Sequence, residues 1–426
     1  MYVILNNDEQ KIMLRRRGNL MKTVFDKTEL KGNKVFEPFE LAGITFHNRI
    51  IRSATFEGVS DENGNPKEHL LKKYEALAKG GVGGIITGFI GVEQQGKASD
   101  NMAMINKYEN IEAFKKLTKR MHELETPIIA QLNHCGGQSK EESAHMPIVA
   151  PSKISDYKAR EMTKDEILEV IEAFVQGIKN AKEAGFDGVQ IHVAHGYLLS
   201  EFVSPRMNLR KDEWGGSTEN RFRIIKMIFE RARKEVGDYP MIVKINGYET
   251  LKNGMTVEES VKIAKLLEQV GCNGIEVSNG TLKAGLATMR GQVPWKIIVA
   301  QNEKLNKMPE FMKNFVGIVA KKTVPQPQPK NLYNLEAAMS IKKAVNIPVI
   351  LVGGITKLEE IEDLINNDKF DAISMSRPFI IESDLVNKFK TGKQTQSKCI
   401  QCNFCIIGCE KGPLKCYYGN VPVSKS

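Results

Sequence analysis

Residues 167–192 read ILEVIEAFVQGIKNAKEAGFDGVQIH. Apolar residues recur at helical spacing through the first part, so it reads as an amphipathic helix. Asp187-Gly188 are turn signals, and the chain then alternates with period two. Val189 and Ile191 share one face of this short strand, and Gln190 and His192 share the other. A helix that turns straight into a short β-rich run is one repeat of an α/β fold.

The same kind of run recurs along the chain. RIIRSAT (49–55), GGIITG (83–88), PIIAQL (127–132), GVQIH (188–192), MIVKIN (241–246), GIEVSN (274–279), PVILVGG (348–354) and DAISMSR (371–377) are strand-like, and all but the first follow a helix-like stretch. Strands flanked by amphipathic helices imply a parallel sheet covered on its faces. Eight such units predict an α/β fold of the (β/α)8 TIM barrel type, with a doubly wound sheet as the weaker option. The barrel is expected over 31–395, a poorly specified extension over 1–30, and a short cysteine-rich tail over 396–426. Residues 280–330, with PQPQP inside, read as an insertion after the sixth strand, on the face where barrels do their chemistry.

The totals narrow the class. The 426 residues suffice for one large α/β domain or a few ordinary ones. No apolar run is long enough for a membrane helix, and the start shows no secretory signal, so a cytoplasmic protein without a membrane partner is expected. The net charge is +10, but much of the basic excess is dispersed, as in AFKKLTKRMHE and KKTVPQPQPK. A nucleic-acid footprint would be a stripe interleaved with aromatics, so no nucleic-acid partner is expected. A basic surface also favours phosphate-bearing cofactors and anionic small molecules. A homo-oligomer is compatible with all of this.

Polar residues converge where a barrel interior should be apolar. Gln131, His192, Lys244, Glu276 and Ser278 all fall at strand C-termini. Buried there they are costly unless paired, so they mark either a site or a mutually satisfied structural network. Strand seven ends in Gly353-Gly354 and strand eight in Ser376-Arg377. Backbone N–H groups, room for close approach and one guanidinium after these two strands form the usual phosphate position of such barrels.

QIHVAHGYLLS (190–200) carries the chemistry. Two histidines three apart at a strand end could be a metal site, a packed network, or a pocket for a substrate oxygen. His192-x-x-His195 is not the HExxH of a zinc protease, and no acidic residue stands between the two. Two neutral imidazole donors aimed at one point could hold an oxygen that gains negative charge, and Tyr197 could deliver a proton nearby. That suits reduction of a double bond conjugated to a carbonyl, for which a flavin is a natural hydride source.

The stretch GVQIHVAHGYLLSEFVSPRMNLRKDEWGGSTENRFR (188–223) resembles the signature of the Old Yellow Enzyme family of FMN-dependent NAD(P)H oxidoreductases. FEPFELAGITFHNRIIRSAT, IIAQLNHCGGQS, MIVKIN and VGGIT…SMSRPFI extend the resemblance over roughly residues 35–390. It implies one FMN at the C-terminal mouth of the barrel, reduced by NAD(P)H and reoxidised by an activated alkene or related small-molecule electrophile. By position it implies that His192 and His195 hold the substrate oxygen and that Tyr197 donates the proton. Gln131 would bond the flavin pyrimidine, and Lys244 would place a cation near its N1 and O2. Arg377, Gly353, Gly354 and Ser376 would hold the phosphate. Ser53, Ala54 and Thr55 would touch the ring system, and Gly88 would also contact the cofactor. In DEWGGSTENR, Gly215-Gly216 would turn the chain and Ser217 cap the next helix. The family position that often tunes the flavin falls on Phe56, one past Thr55. Cys135 reads as a small buried residue or a reactive thiol near the mouth, and Cys272 as packing.

Five of the seven cysteines crowd into KCIQCNFCIIGCEKGPLKCYYG (398–419) with spacing C-x2-C-x2-C-x3-C-x6-C. Such crowding points to metal or redox chemistry before structural disulfides. The first four copy a ferredoxin spacing, and tetrahedral zinc competes for the same thiols. The motif also resembles the iron–sulfur tail of the dienoyl-CoA reductase branch of the family. That likeness implies a [4Fe–4S] cluster on Cys399, Cys402, Cys405 and Cys416, with Cys409 as rival fourth ligand. The appended dinucleotide-binding half of that branch is not expected here, so a cluster would exchange electrons with a partner protein. Two other readings are a dihydrouridine-synthase-like FMN enzyme acting on tRNA and a non-catalytic electron-transfer module. The first lacks a convincing mouth cysteine and an RNA-binding domain. The second is disfavoured by the presence of His192, His195 and Tyr197.

Overall fold

The structure is a computed structural model that describes residues 32–154, 158–281, 290–291, 293–323, 330–409 and 414–419, plus the backbone of three short strands before residue 32. Eight parallel strands form its centre: β1 Ile50–Arg52, β2 Gly84–Ile86, β3 Ile128–Asn133, β4 Gly188–Val193, β5 Met241–Asn246, β6 Ile275–Ser278, β7 Val349–Val352 and β8 Ala372–Met375. Each pairs with its successor, and β8 pairs with β1, so the sheet closes into a barrel with no free edge. The doubly wound alternative is thereby excluded.

The eight covering helices are α1 Glu68–Lys79, α2 Tyr108–Glu123, α3 Lys164–Glu183, α4 Thr218–Val236, α5 Val257–Gln269, α6 Leu335–Lys342, α7 Leu358–Asn366 and α8 Leu385–Lys390. Their starts follow from local chemistry. Thr163 caps α3 in a capping box with Glu166, and Ser217 and Thr256 accept N–H bonds at the starts of α4 and α5. The strands are often shorter than the sequence pattern implied, β1 ending at Arg52 rather than Thr55.

Alternation sorts the side chains of each strand. Val189, Ile191, Val243, Ile245, Ile275, Val277, Leu351 and Ile373 face outward into the core shared with the helices. Ile51, Ile86, Ile129, Ile242, Ile350 and Ala372 face inward as a bottom layer. A hairpin, Phe39–Leu41 with Ile44–Phe46, lies against that layer through Phe39, Leu41, Ile44 and Phe46 and plugs the N-terminal end. With the bottom sealed by apolar side chains, the polar residues one step along each strand are left at the open end. The insertion after β6 contains helices Trp295–Gln301, Glu303–Asn306 and Glu310–Thr323.

Candidate active site

The floor of the mouth is a buried polar layer built around one carboxylate. Glu276 on β6 accepts from Ser53 at 2.6 Å and from the Gln190 amide at 2.7 Å, and Ser374 donates to it as well. Lys244 on β5 lies 3.1 Å from the same carboxylate and donates to the Ser53 hydroxyl at 3.0 Å. Gln131 on β3 donates to Gln190 at 2.7 Å. These contacts follow from register, since Lys244 stands opposite Glu276 and Gln131 opposite Gln190. Burial would raise the Glu276 carboxyl, but the Lys244 charge and the donated hydrogen bonds hold it below its usual value. Burial lowers the Lys244 ammonium, against the pull of Glu276. An ammonium has three N–H bonds; Ser53 and Glu276 occupy two here.

Above this floor stand the imidazoles. His192 is buried on β4, and its Nδ1 accepts the Ala194 backbone N–H at 3.2 Å. In the neutral ring the proton is therefore on Nε2, a donor. His195 takes a left-handed conformation at φ 65°, its own N–H held by Asn246 Oδ1 at 3.1 Å. Its Nε2 lies 2.7 Å from the Ser278 hydroxyl. The two rings meet edge-on, 5.0 Å apart, and the Tyr197 ring is 5.0 Å from His192. Burial lowers His192 well below its usual range, with His195 and Lys244 adding to the effect. Burial and Lys244 lower His195 to about 3. Both rings are thus neutral near pH 7.

An aromatic wall continues from Tyr197. Its ring is 5.3 Å from Phe89, which stacks on Phe56 at 4.9 Å. Met102, Met104 and Cys135 pack behind it. Cys135 is fully buried, contacts Asn133 and Met102, and has its thiol pushed up by burial and by Glu201. It is a packed residue and not an activated thiol. Cys272 is likewise buried, bonded to the Gly274 carbonyl.

The turn after β1 is rigid. Thr55 bonds the Ser53 carbonyl at 3.0 Å and the Ser376 hydroxyl at 2.7 Å, and Ala54 packs on the bottom layer. Gly88 closes the end of β2, donating to Tyr74 at 3.1 Å, and Tyr74 in turn donates to Glu57. A Cβ at Gly88 would collide with Glu57 and the Thr55 carbonyl. Gly88 is thus fixed by close packing beside the turn.

On the other side of the mouth, Gly353, Gly354, Ser376 and Arg377 line one cavity with Tyr333, Thr356, Cys399 and Gln401. Gly353 and Gly354 have φ 125° and 73°, conformations that turn backbone N–H groups out of the strand. Tyr333 is half-buried here, and the Arg377 charge beside it works against the rise that burial gives its hydroxyl. A concave patch of glycine backbone plus guanidinium suits a phosphate.

Next to it, Cys399, Cys402, Cys405 and Cys416 line a second cavity with Arg377 and Lys398. Burial raises the Cys399 and Cys402 thiols and takes Cys405 to about 12. Cys409 stands off this lining, its thiol donating to the Ile406 carbonyl at 3.0 Å. Among the described residues no group of three or more His, Cys, Asp or Glu stands close enough to hold a single ion. The four thiols share a cavity without converging on one point.

Alternation put Lys244 and Glu276 in the barrel, but nothing in the sequence marked Glu276 as the hub of the floor, or Gln190 and Ser374 as its partners. Period two placed Gln190 inward; cross-strand register, invisible in one sequence, made it a link. Tyr333, Gln401 and Asn403 also escaped the sequence reading, since they come from the turn before α6 and from the tail.

Residues 34–326 match the NADH:flavin oxidoreductase / NADH oxidase family. The chain is 31% identical over 385 residues to an NADH oxidase of Thermoanaerobacter brockii, covering 88% of this chain and 53% of that one. It therefore spans about half the length of that relative. It is 32% identical over 351 residues to an NADPH dehydrogenase of Geobacillus sp. (strain WCH70), covering 81% and 90%. Among solved structures, an old yellow enzyme homologue from Zymomonas mobilis superposes with a TM-score of 0.67 at 25% identity, covering 87% and 96%.

Proposed function

We propose, from the premise that the chain belongs to the NADH:flavin oxidoreductase / NADH oxidase family, that it is an FMN-dependent enzyme that uses NADH or NADPH to reduce an alkene conjugated to a carbonyl, or a related small electrophile. The observation that carries this reading is the pair of neutral imidazoles beside Tyr197, with His192 in register opposite Lys244 of the Lys244–Glu276 pair.

The residues fit a flavin by the chemistry of their donors. Gln131 and Lys244 offer an amide and an ammonium at the floor, as the edge of a pyrimidine dione requires. Gly353, Gly354, Ser376 and Arg377 offer the phosphate end, and Ser53, Ala54, Thr55 and Gly88 border the ring position between them. Bound there, FMN supplies the hydride chemistry that no side chain provides. Lys244 stabilises negative charge at the floor, and Glu276 holds it in place.

The imidazoles bind the substrate carbonyl oxygen. His192 donates from Nε2, fixed by the Ala194 bond to Nδ1. His195 is turned into place by its left-handed backbone and the Asn246 and Ser278 contacts. Because neither ring is protonated near pH 7, they stabilise developing enolate charge by hydrogen bonding. Tyr197 delivers the proton to the carbon α to the carbonyl. The aromatic wall of Phe89 and Phe56 excludes water from that side.

The thiol cavity supports the cluster reading of the tail. Burial holds the Cys399, Cys402 and Cys405 thiols above their usual value, and a metal centre would supply the charge that removes their protons. Cys416 lines the cavity and Cys409 does not, so Cys399, Cys402, Cys405 and Cys416 are the thiols that would hold an iron–sulfur cluster. The loop would adjust to bring the sulfurs together.

Anaerobic purification and visible spectroscopy test both. A flavin spectrum that bleaches with NADH or NADPH and returns with an enone is expected. A broad absorbance near 400 nm that persists after flavin removal would report the cluster. A flavin that bleaches but is reoxidised by oxygen and by no enone would sink the alkene-reductase reading.

A further inference from the structure

The thiol-bearing loop is tied to the phosphate cradle more tightly than a tail needs to be. Gln401 and Asn403, on either side of Cys402, both adopt left-handed backbone, at φ 56° and 62°. These two turns curl the loop back on the barrel. Asn403 Oδ1 then accepts from Arg377 Nη1 at 2.8 Å. Gln401 donates to Asn331 at 3.1 Å, and Asn331 donates to Glu360 at the start of α7. Upstream, Glu382 accepts from Ser397 and from the Lys398 backbone. From the insertion, Gly291 abuts the loop so closely that a Cβ there would collide with the Gln401 carbonyl and the Asn403 amide. Arg377 and Cys399 line both cavities, so the thiols and the phosphate cradle share a wall.

We propose that the cysteine loop is the outer jaw of the phosphate site: Asn403 positions the Arg377 guanidinium toward the Gly353-Gly354 turn, so that the state of the four thiols is read as affinity for the phosphate of FMN. An arginine fixed at one end presents its remaining N–H groups in a set direction, which a free side chain must lose entropy to do. Asn403 is a positioning residue, since it acts through Arg377. This inference rests on the reading of Gly353, Gly354, Ser376 and Arg377 as the FMN phosphate cradle.

Riboflavin, which lacks the phosphate, separates the two. Apoprotein of the full chain is titrated with FMN and with riboflavin, following quenching of flavin fluorescence. Wild type should prefer FMN. Asn403→Gly keeps the left-handed backbone and removes the amide, so it should weaken FMN by roughly tenfold and leave riboflavin unchanged. Carboxamidomethylation of the loop thiols with iodoacetamide should give the same selective loss. Asn403→Gly retaining the full FMN preference, or weakening both flavins equally, would overturn the proposal. A wild type without preference would instead remove the phosphate-cradle reading on which it stands.

Discussion

Glu276 and Lys244 are the residues on which the mouth depends. Each is almost completely buried, and each is the other's counter-charge. Removing one partner of such a pair leaves an uncompensated charge in low dielectric. Glu276→Leu should therefore destabilise the protein by roughly 3–5 kcal/mol, measured by urea unfolding. Lys244→Met combined with Glu276→Gln should recover much of that loss, because no net charge is then stranded. If the single variant were as stable as wild type, the carboxylate would not be the hub that its partners indicate. Tyr197→Phe tests chemistry rather than stability. Reoxidation of the reduced enzyme by an enone should slow by roughly 10²–10⁴-fold, while bleaching by the nicotinamide stays unchanged. Equal slowing of both half-reactions would show that the ring packs the site and gives no proton. Lys244 and His192 were legible from sequence because period two fixes a face. The joining of Gln131, Gln190, Glu276, Ser53 and Ser374 into one layer was not, because it depends on which residues stand opposite across strand pairs.

At the scale of elements, the eight strand–helix units were legible because each is a local pattern. One cap was legible too: Ser217 stands where the sequence placed it, at the start of α4. Thr163 and Glu166 close α3 in the same way, and Arg160 also pairs with Glu166. Thr163→Ala should cost about 1 kcal/mol in thermal or urea unfolding without altering flavin binding; an unchanged midpoint would mean that the Arg160–Glu166 pair closes the helix alone. From sequence the insertion reads as an undivided stretch with PQPQP inside it. The helix Glu310–Thr323 nevertheless carries Phe311, Phe315 and Ile318 at helical spacing, and all three are exposed. An apolar face turned to solvent gives a sequence pattern no different from one turned to a core, so periodicity could identify the helix but not its packing. The tail was legible as a thiol cluster, but its return onto Arg377 was not. Left-handed Gln401 and Asn403 make that return; asparagine tolerates such a backbone without requiring it, and glutamine gives no sign of it.

Across the whole molecule, closure of the barrel puts two histidines and a glutamate into surroundings that oppose their ionised forms, with opposite consequences for pH. His192 and His195 are depressed by burial, so the unfolded chain binds protons near pH 6.5 that the folded chain refuses. Their contribution is present above about 6.5 and is lost as pH falls, for His195 down to about 3. At pH 5 His195 should cost about 2 kcal/mol relative to neutral pH, and His192 acts in the same direction. Glu201 runs the other way. It is fully buried behind Gly137, and burial raises its carboxyl well above the usual range. Its contribution is full below about 4.5 and declines as pH rises from there toward its folded value. The folded state is therefore squeezed from both sides, most heavily on the acid side, where two groups act together. Urea unfolding of the apoprotein at pH 5 and pH 7 should show the acid loss. The double variant His192→Asn and His195→Asn should be much less sensitive over that interval, and Glu201→Gln should gain more stability at pH 8 than at pH 5. If the double variant loses as much stability on acidification as wild type, the folded rings take up protons as readily as unfolded ones. Burial would then not hold them neutral, and the argument that they meet the substrate oxygen as neutral donors throughout that interval would fall.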